Sequence, residues 1–200
     1  MDIYREDIKD KLKSLTAEQQ LLFAALTCER LYPNYVYFHE KFDWGDPKVL
    51  LDSIEMIYQS LFIKNLFGSD EIQEHAEAID MITPDTEDYS EVFVSFALDA
   101  CTSVYSTLNF MLDQNLDHVA DVASYARDTV DMFIQVRDNL NIHVNDLETR
   151  IANDPLMIRE KSRQLSIIEK LKSLNDQDVS DSLIEDLRDK SFIIDTEAIS

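Results

Sequence analysis

Glycine and proline are scarce in this chain. Only two glycines and four prolines occur among its 200 residues. β-Sandwiches, barrels and glycine-rich phosphate loops depend on frequent turn formers, so this scarcity argues against them and favours long helices joined by short connections. Cysteine is equally rare, with only Cys28 and Cys101 present. Both lie in predicted helices, and we expect reduced, buried thiols rather than a disulfide or a metal pair.

Positive charge is also in short supply. The 18 lysines and arginines face 40 aspartates and glutamates, which gives a net charge of −22. Phosphate binding needs clustered Lys and Arg, so we expect no direct nucleic-acid binding and no binding to an anionic membrane. The unbroken apolar runs are far shorter than the roughly 20 residues that span a bilayer, and the N-terminus has no signal-peptide core. We therefore expect a cytoplasmic protein.

Familiar catalytic and metal-binding motifs are missing as well. The chain has no Glu-x-x-His, Cys-x-x-Cys, His-Glu-x-x-His, Walker or Gly-x-Ser-x-Gly pattern, and its four histidines lie in separate segments. These motifs bring metal ligands, phosphate-binding loops or activated nucleophiles together at fixed spacing. The sequence accordingly predicts no catalytic residue, no metal site and no cofactor.

One long apolar stretch organises the rest of the chain. Residues 92–112, VFVSFALDACTSVYSTLNFML, carry a single charge, Asp99. Their apolar side chains fall on every face of a helix, which is typical of a buried helix, and the stretch is too long for a strand of the usual 3–10 residues. We predict an all-α fold: one domain over 1–200, a multi-helix bundle of about seven or eight helices around this buried central helix.

Several helix starts are marked by capping residues. Thr16 with Gln19 three positions later is a capping-box pattern, and Asp46–Pro47 and Asp154–Pro155 each combine an N-cap with proline at the first helical position. Pro33 lies inside a helical pattern, where proline removes a hydrogen bond and clashes with the preceding turn. We expect the second helix to end or bend there.

Asp99 needs a partner, because an unpaired buried carboxylate would cost several kcal/mol. Arg30 is a candidate, since a guanidinium stays charged when buried and can hold a carboxylate with two hydrogen bonds. Its neighbour Glu29 could accept hydrogen bonds from the loop around Asn34. We interpret Asp99, Glu29, Arg30 and Asn34 as a buried polar site. A structural ion pair or helix cap is favoured over a general base or ligand in a pocket.

The helix that follows the central stretch divides into an apolar and an acidic side. Asp117, Asp121, Asp128 and Asp131 fall within an arc of about 80° opposite the apolar stripe. An acidic stripe in this position is usually a solvated face. The functional alternatives are a docking surface for a basic partner or a weak divalent-cation site.

Two short segments carry a family resemblance. Residues 28–35 read Cys-Glu-Arg-Leu-Tyr-Pro-Asn-Tyr, and residues 98–101 read Leu-Asp-Ala-Cys. They resemble the CER-x-x-PNY and DAC signatures of a YjaG-like bacterial family of domains of unknown function, over a stretch from about Leu15 to about Arg188. The resemblance implies an all-helical fold and supplies no catalytic residues.

Three functional hypotheses remain open. The leading one is a structural or protein-interaction module without catalytic activity, whose unknown partner could be a second copy in a homo-oligomer. The second is a small-molecule binder or enzyme that uses a pocket around Asp99, Glu29 and Arg30. The third is an acidic mimic of nucleic acid that blocks a basic protein through the aspartates between 117 and 131.

Overall fold

The computed structural model describes residues 2–140, 146–174, 179–189 and 191–199. Within them the chain forms nine α-helices and one 3₁₀ turn and has no β-strand, which confirms the all-α prediction. The helices are α1 (Ile3–Leu12), α2 (Ala17–Phe42), α3 (Pro47–Phe62), α4 (Ser69–Ile82), α5 (Phe93–Asp113), α6 (Leu116–Arg137), α7 (Leu147–Ala152), α8 (Pro155–Ser173) and α9 (Asp181–Leu187), followed by the 3₁₀ turn at Thr196–Ile199. The six-residue α7 lies where the sequence predicts no helix.

The core is built on the packing of α2 against α5. Helix α5 contacts α2, α3, α4 and α6, and α2 contacts α3, α5, α6 and α8. Four small residues of these two helices, Ala24, Ala25, Ala97 and Ala100, are buried. Small side chains allow two helix backbones to approach closely. The predicted central helix is confirmed, shifted by one residue at each end.

One strip of α5 remains partly open to solvent. Leu98, Thr102, Tyr105 and Asn109 follow one another at intervals of three or four residues, and none of them is buried. Tyr105 is 40% exposed. Apolar residues on every face of the sequence pattern therefore overstate how completely this helix is enclosed.

The predicted helix caps form. Thr16 and Gln19 make a reciprocal capping box, in which each side chain accepts a hydrogen bond from the backbone N–H of the other residue. Asp46 caps α3 and Asp154 caps α8, each with proline at the first helical position. The predicted end of the second helix at Pro33 is wrong, because α2 continues from Ala17 to Phe42 with Pro33 inside it. Burial of apolar side chains beyond Pro33 outweighs the local cost of proline.

The C-terminal part of the chain packs back onto the bundle. Helix α8 contacts α6, α2, α1 and α7. Beyond it, Ile184, Ile193 and Ile194 are buried, whereas Phe192 is 68% exposed. Arg159 on α8 donates hydrogen bonds of 2.9 and 2.7 Å to the carbonyl oxygens of residues 192 and 193. Residues 185–189, 191 and 192, called the C-terminal segment below, also lie alongside α2, where Arg30 contacts Asp189 and Ser191.

Both cysteines are buried and free, as the sequence predicts. The Cys28 sulfur lies 3.2 Å from the hydroxyl of Thr107. Burial raises the pKa of both thiols to about 12, so they are protonated at neutral pH. Over the described residues, none of the helices is both apolar enough and long enough to cross a bilayer.

Candidate functional site

The four residues predicted to form one buried polar site lie in two separate places. Asp99 on α5 accepts a 2.7 Å hydrogen bond from the hydroxyl of Thr129 on α6. Arg30 instead pairs with acidic residues from the C-terminal third of the chain, so the predicted Arg30–Asp99 ion pair does not form. Glu29 lies beside Arg30 on α2, and Asn34 is buried one helical turn further on. The structure therefore separates Asp99 from the other three residues.

Asp99 has an unusual electrostatic environment. Its side chain is only partly accessible, and no cation pairs with it in the described part of the chain. Burial, with a smaller contribution from the nearby charge of Asp128, raises its pKa to about 7, although the hydrogen bond from Thr129 acts in the opposite direction. The carboxyl group is thus partly protonated near neutral pH.

A buried ionic network joins α2 to α8. The Nε of Arg30 donates a 3.1 Å hydrogen bond to Glu160, and the two side chains are 2% and 0% exposed. The other oxygen of Glu160 accepts hydrogen bonds from Gln164 at 3.1 Å and from Arg163 at 3.4 Å. Arg163 also donates to the carbonyl oxygen of Leu26, one turn before Arg30. Two guanidinium groups therefore share one fully buried carboxylate.

The C-terminal segment supplies the balancing negative charge. The Nη1 of Arg30 donates hydrogen bonds to the carboxylate of Asp189 and to Ser191, whose carbonyl and hydroxyl oxygens lie at 3.1 and 3.2 Å. Burial disfavours ionisation of Asp189. Hydrogen bonds from Ser191 and the charges of Arg30 and Arg163 outweigh that effect and hold its pKa below the usual range.

A second charged group lies nearer to solvent. Glu29 accepts a 2.6 Å hydrogen bond from the hydroxyl of Tyr58 and a 3.1 Å hydrogen bond from Arg188. Arg188 also pairs with Glu185 and lies over the Tyr58 ring, 5.1 Å from its centroid. This group connects α2 and α3 to the C-terminal segment.

A pocket of about 360 Å³ lies between α2 and the C-terminal segment. Its volume falls in the range of small-molecule sites, about 300–1,000 Å³. It is lined by Leu26, Glu29, Arg30, Pro33, Glu185, Arg188, Asp189, Ser191 and Phe192. Arg30 is thus both the centre of the buried network and part of the pocket wall.

Three buried hydrogen-bond donors on α2 and α8 have no acceptor among the described residues. They are Nη2 of Arg30, Nδ2 of Asn34 and Nε of Arg163, and each is a nitrogen shielded from solvent by the described residues. An unpaired buried donor costs roughly 1–3 kcal/mol, and more when the group is charged. Each of these three nitrogens could therefore donate one further hydrogen bond.

The acidic stripe on α6 is partly neutralised. Asp117 pairs with Arg5 at 2.8 Å and with Lys9 at 2.6 Å, and Arg5 also contacts Asp121 at 2.5 Å. Hydrogen bonds from Lys9 and Arg5 lower the pKa of Asp117. Helix α1 therefore covers the first half of the stripe. In the second half, Asp128 pairs with Arg127 and Asp131 accepts a hydrogen bond from Gln135. Among the described residues, no group of three or more His, Cys, Asp and Glu could hold a metal ion.

A larger groove of about 710 Å³, lined by both polar and apolar residues, lies at the C-terminal end of α3. Its walls include Leu21, Leu61, Phe67, Ile72 and Phe110. At its edge, Phe62 and Leu66 are 46% and 38% exposed. Exposed apolar side chains beside a groove are typical of interaction surfaces.

Comparison with known proteins identifies the family. A model of the family described as "Protein of unknown function (DUF416)" matches residues 7–197. The chain belongs to the DUF416 family. This membership confirms the resemblance drawn from residues 28–35 and 98–101 and extends it at both ends.

DUF416 relatives match most of the chain. The uncharacterized protein YjaG of Salmonella typhimurium is 28% identical over 182 residues, which cover 89% of this chain and 87% of the relative. YjaG of Escherichia coli K12 is 26% identical over the same shares. The crystal structure of a DUF416 family protein from Shewanella baltica OS155 is 27% identical, with a TM-score of 0.79 over 90% of both chains. The similarity supports a common fold for these proteins and does not indicate a biochemical activity.

Sequence reasoning did not identify Glu160, Asp189 or Arg188 as members of this site. One signal was available for α8, since Glu160 and Gln164 fall in the same helical stripe as the buried residues Met157, Ile167 and Leu171. A charged residue within an apolar stripe indicates a buried ion pair. No comparable local signal marks Asp189, whose position depends on how the C-terminal segment folds back.

Proposed function

We propose that this DUF416 protein binds a small polar molecule in the pocket between α2 and the C-terminal segment. One observation carries the proposal: Arg30, almost fully buried, lies in the wall of a cavity of about 360 Å³, and one of its guanidinium nitrogens has no partner in the part of the chain that the structure describes. Buried charges are rarely left short of hydrogen bonds unless a ligand or water completes them. Functional sites concentrate such groups in concave surfaces.

The buried ionic network of Arg30, Arg163 and Glu160 gives little support by itself to a purely structural role for these charges. Buried ion pairs often contribute little net stability, because desolvation of the two charges offsets their attraction. Here two arginines surround one glutamate, and Arg163 has a lowered pKa because burial disfavours its charge. A chain selected for stability alone would do as well with apolar residues of similar volume.

A thermal-shift screen of small polar metabolites tests this function. The pocket variant carries Glu29→Gln with Arg188→Gln, and its matched control carries Glu148→Gln with Arg150→Gln on exposed positions of α7. We expect at least one compound to raise the melting temperature of the wild type and the control by roughly 5–10 °C at 100 times its Kd, and to act weakly on the pocket variant. A screen without any such compound overturns the proposal.

A second function, docking of a partner protein, is favoured by the exposed apolar side chains of Phe62 and Leu66 in the groove at the C-terminal end of α3. This proposal assigns a specific surface to the hypothesis of a protein-interaction module. The partner would present an apolar segment flanked by basic residues, because the chain carries a net charge of −22. Apolar anchors in a groove with complementary charge outside it are a common recognition mode.

A photo-cross-linking amino acid at position 66 tests the docking function in cells. We expect the wild type to capture a basic protein, and Phe62→Ser to abolish the cross-link. Met81→Ser is the control, because Met81 is 82% exposed on α4 and does not line the groove. Equal cross-linking by Phe62→Ser and the wild type would exclude the groove, and sedimentation velocity would reveal whether the partner is a second copy.

A further inference from the structure

The ionisable side chains around the pocket form two layers of opposite charge. The inner layer consists of Arg30, Arg163 and Glu160, which together carry an excess of one positive charge. The outer layer consists of Glu29, Glu185 and Arg188, which together carry an excess of one negative charge. Asp189 balances the inner layer in this structure, so a molecule that takes the place of its carboxylate would meet positive charge at its inner end and negative charge at its outer end.

Asp189 shows which chemistry Arg30 accepts from the pocket side. It lines the pocket and presents a carboxylate to Nη1 of Arg30. Its side chain is 33% exposed, whereas that of Glu160 is completely buried. An incoming carboxylate could replace Asp189 on Nη1 of Arg30 while the Arg30–Glu160 contact stayed in place.

The outer end of the pocket offers acceptors. Glu29 and Glu185 each contribute carboxylate oxygens to its lining. Pro33, also in the lining, has no N–H to donate to the carbonyl oxygen of Glu29, the acceptor four residues earlier in the helix. An ammonium group with three donors suits this combination of carboxylate and carbonyl oxygens.

We propose, on the basis of the small-ligand function above, that the pocket takes a small zwitterion of the amino-acid class. Its carboxylate replaces Asp189 on Arg30, and its ammonium group binds Glu29 and Glu185. A simple anion would meet the negative outer layer and the field of a strongly acidic protein. A simple cation has no acceptor group that could take the place of Asp189 on Arg30.

Four probes with the same four-carbon chain test the ligand class by calorimetry: butyrate, butylamine, 2-aminobutyrate and 4-aminobutyrate. We expect at least one of the two amino acids to bind the full-length chain roughly tenfold or more tightly than either singly charged probe. Equal binding of butyrate or butylamine overturns the zwitterion assignment, and so does failure of both amino acids to bind.

Two variants test the placement of the ligand. Asp189→Asn removes the competing carboxylate, so we expect the affinity for the amino acid to rise about tenfold. Glu29→Gln should lower it by a similar factor, and Asp186→Asn, an exposed change nearby, should leave it unaltered. An unchanged affinity in Asp189→Asn would show that the ligand does not replace this carboxylate.

Failure of this inference can be distinguished from failure of the proposed function. In one outcome, compounds that lack one of the two charges stabilise the wild type in the metabolite screen and lose their effect in the Glu29→Gln, Arg188→Gln variant. That result overturns the zwitterion class and leaves a small-ligand site standing. A screen in which nothing stabilises the wild type overturns both.

Discussion

Asp99 couples the stability of the fold to pH. Its pKa is raised by burial to about 7, whereas an aspartate in the unfolded chain titrates near 4. Between these values the folded state binds more protons than the unfolded state, so the free energy of unfolding falls as pH rises. This contribution is fully present below about pH 4 and is lost as pH passes through 7.

The Asp99→Asn variant isolates that dependence. Between about pH 4 and pH 8 we expect ionisation of Asp99 to lower the free energy of unfolding of the wild type by roughly 2–4 kcal/mol. The variant should not show this loss, because an amide cannot ionise. Urea unfolding of wild type and variant at both pH values measures the difference, with Asp131→Asn on α6 as the control. Parallel pH profiles for wild type and Asp99→Asn would contradict the assignment.

Glu160 is the residue on which the buried network depends. Replacing it by Gln leaves Arg30 and Arg163 buried without their shared carboxylate. Breaking a buried ion pair from one side costs about 3–5 kcal/mol, and we expect Glu160→Gln to reduce the free energy of unfolding by that amount. Glu169→Gln, an exposed change on the same helix, should cost less than about 0.5 kcal/mol in the same denaturation experiment. Similar values for both variants would contradict the role given to the network.

The connection from α2 to α3 depends on one glycine. Gly45 has a φ of +78°, and a Cβ at this position would lie 2.2 Å from the hydroxyl oxygen of Tyr35. That hydroxyl donates a 2.8 Å hydrogen bond to the carbonyl oxygen of Ile82 at the end of α4. The Tyr35 side chain therefore packs against the turn at Gly45 and links α2 to α4 through its hydroxyl group.

Substitution at Gly45 tests this element. We expect Gly45→Ala to lower the free energy of unfolding by about 2 kcal/mol or more, because left-handed backbone strain adds to the clash with Tyr35. Gly68→Ala is the matched control, since its added Cβ would meet only an ordinary contact of 3.7 Å with Glu71. We expect it to cost less than about 1 kcal/mol. Equal losses in thermal unfolding would exclude the clash as the cause.

Local signals in the sequence account for the elements better than for the site. Thr16, Asp46 and Asp154 cap their helices through neighbours two or three residues away, so the pattern and the contact lie together in the chain. Arg30 pairs with Glu160, 130 positions away, and not with Asp99. Which carboxylate pairs with Arg30 depends on how α2, α5 and α8 pack. The composition of the sequence and the spacing of its residues do not determine that packing. The predicted helix end at Pro33 is wrong for the same reason, since the burial of side chains beyond the proline depends on packing and keeps the helix intact.

At the scale of the whole molecule, a net charge of −22 opposes folding through self-repulsion. Ion pairs on the surface, such as Lys48–Asp52, contribute little to stability and weaken with salt. The long-range repulsion is screened by the same salt, because the Debye length falls to about 10 Å at 0.1 M. We expect the melting temperature to rise as sodium chloride increases from about 20 to 200 mM. A fall would mean that ion pairs outweigh repulsion.

Magnesium chloride at equal ionic strength separates screening from cation binding. Helix α1 already neutralises Asp117 and Asp121 through Arg5 and Lys9, so the acidic stripe on α6 keeps only its second half for a divalent ion. Two spaced aspartates fall short of the six to eight oxygen ligands that Ca²⁺ takes and of the octahedral shell of Mg²⁺. We therefore expect the two salts to raise the melting temperature equally. A larger effect of magnesium, abolished by Asp128→Asn with Asp131→Asn, would instead establish a cation site on this face.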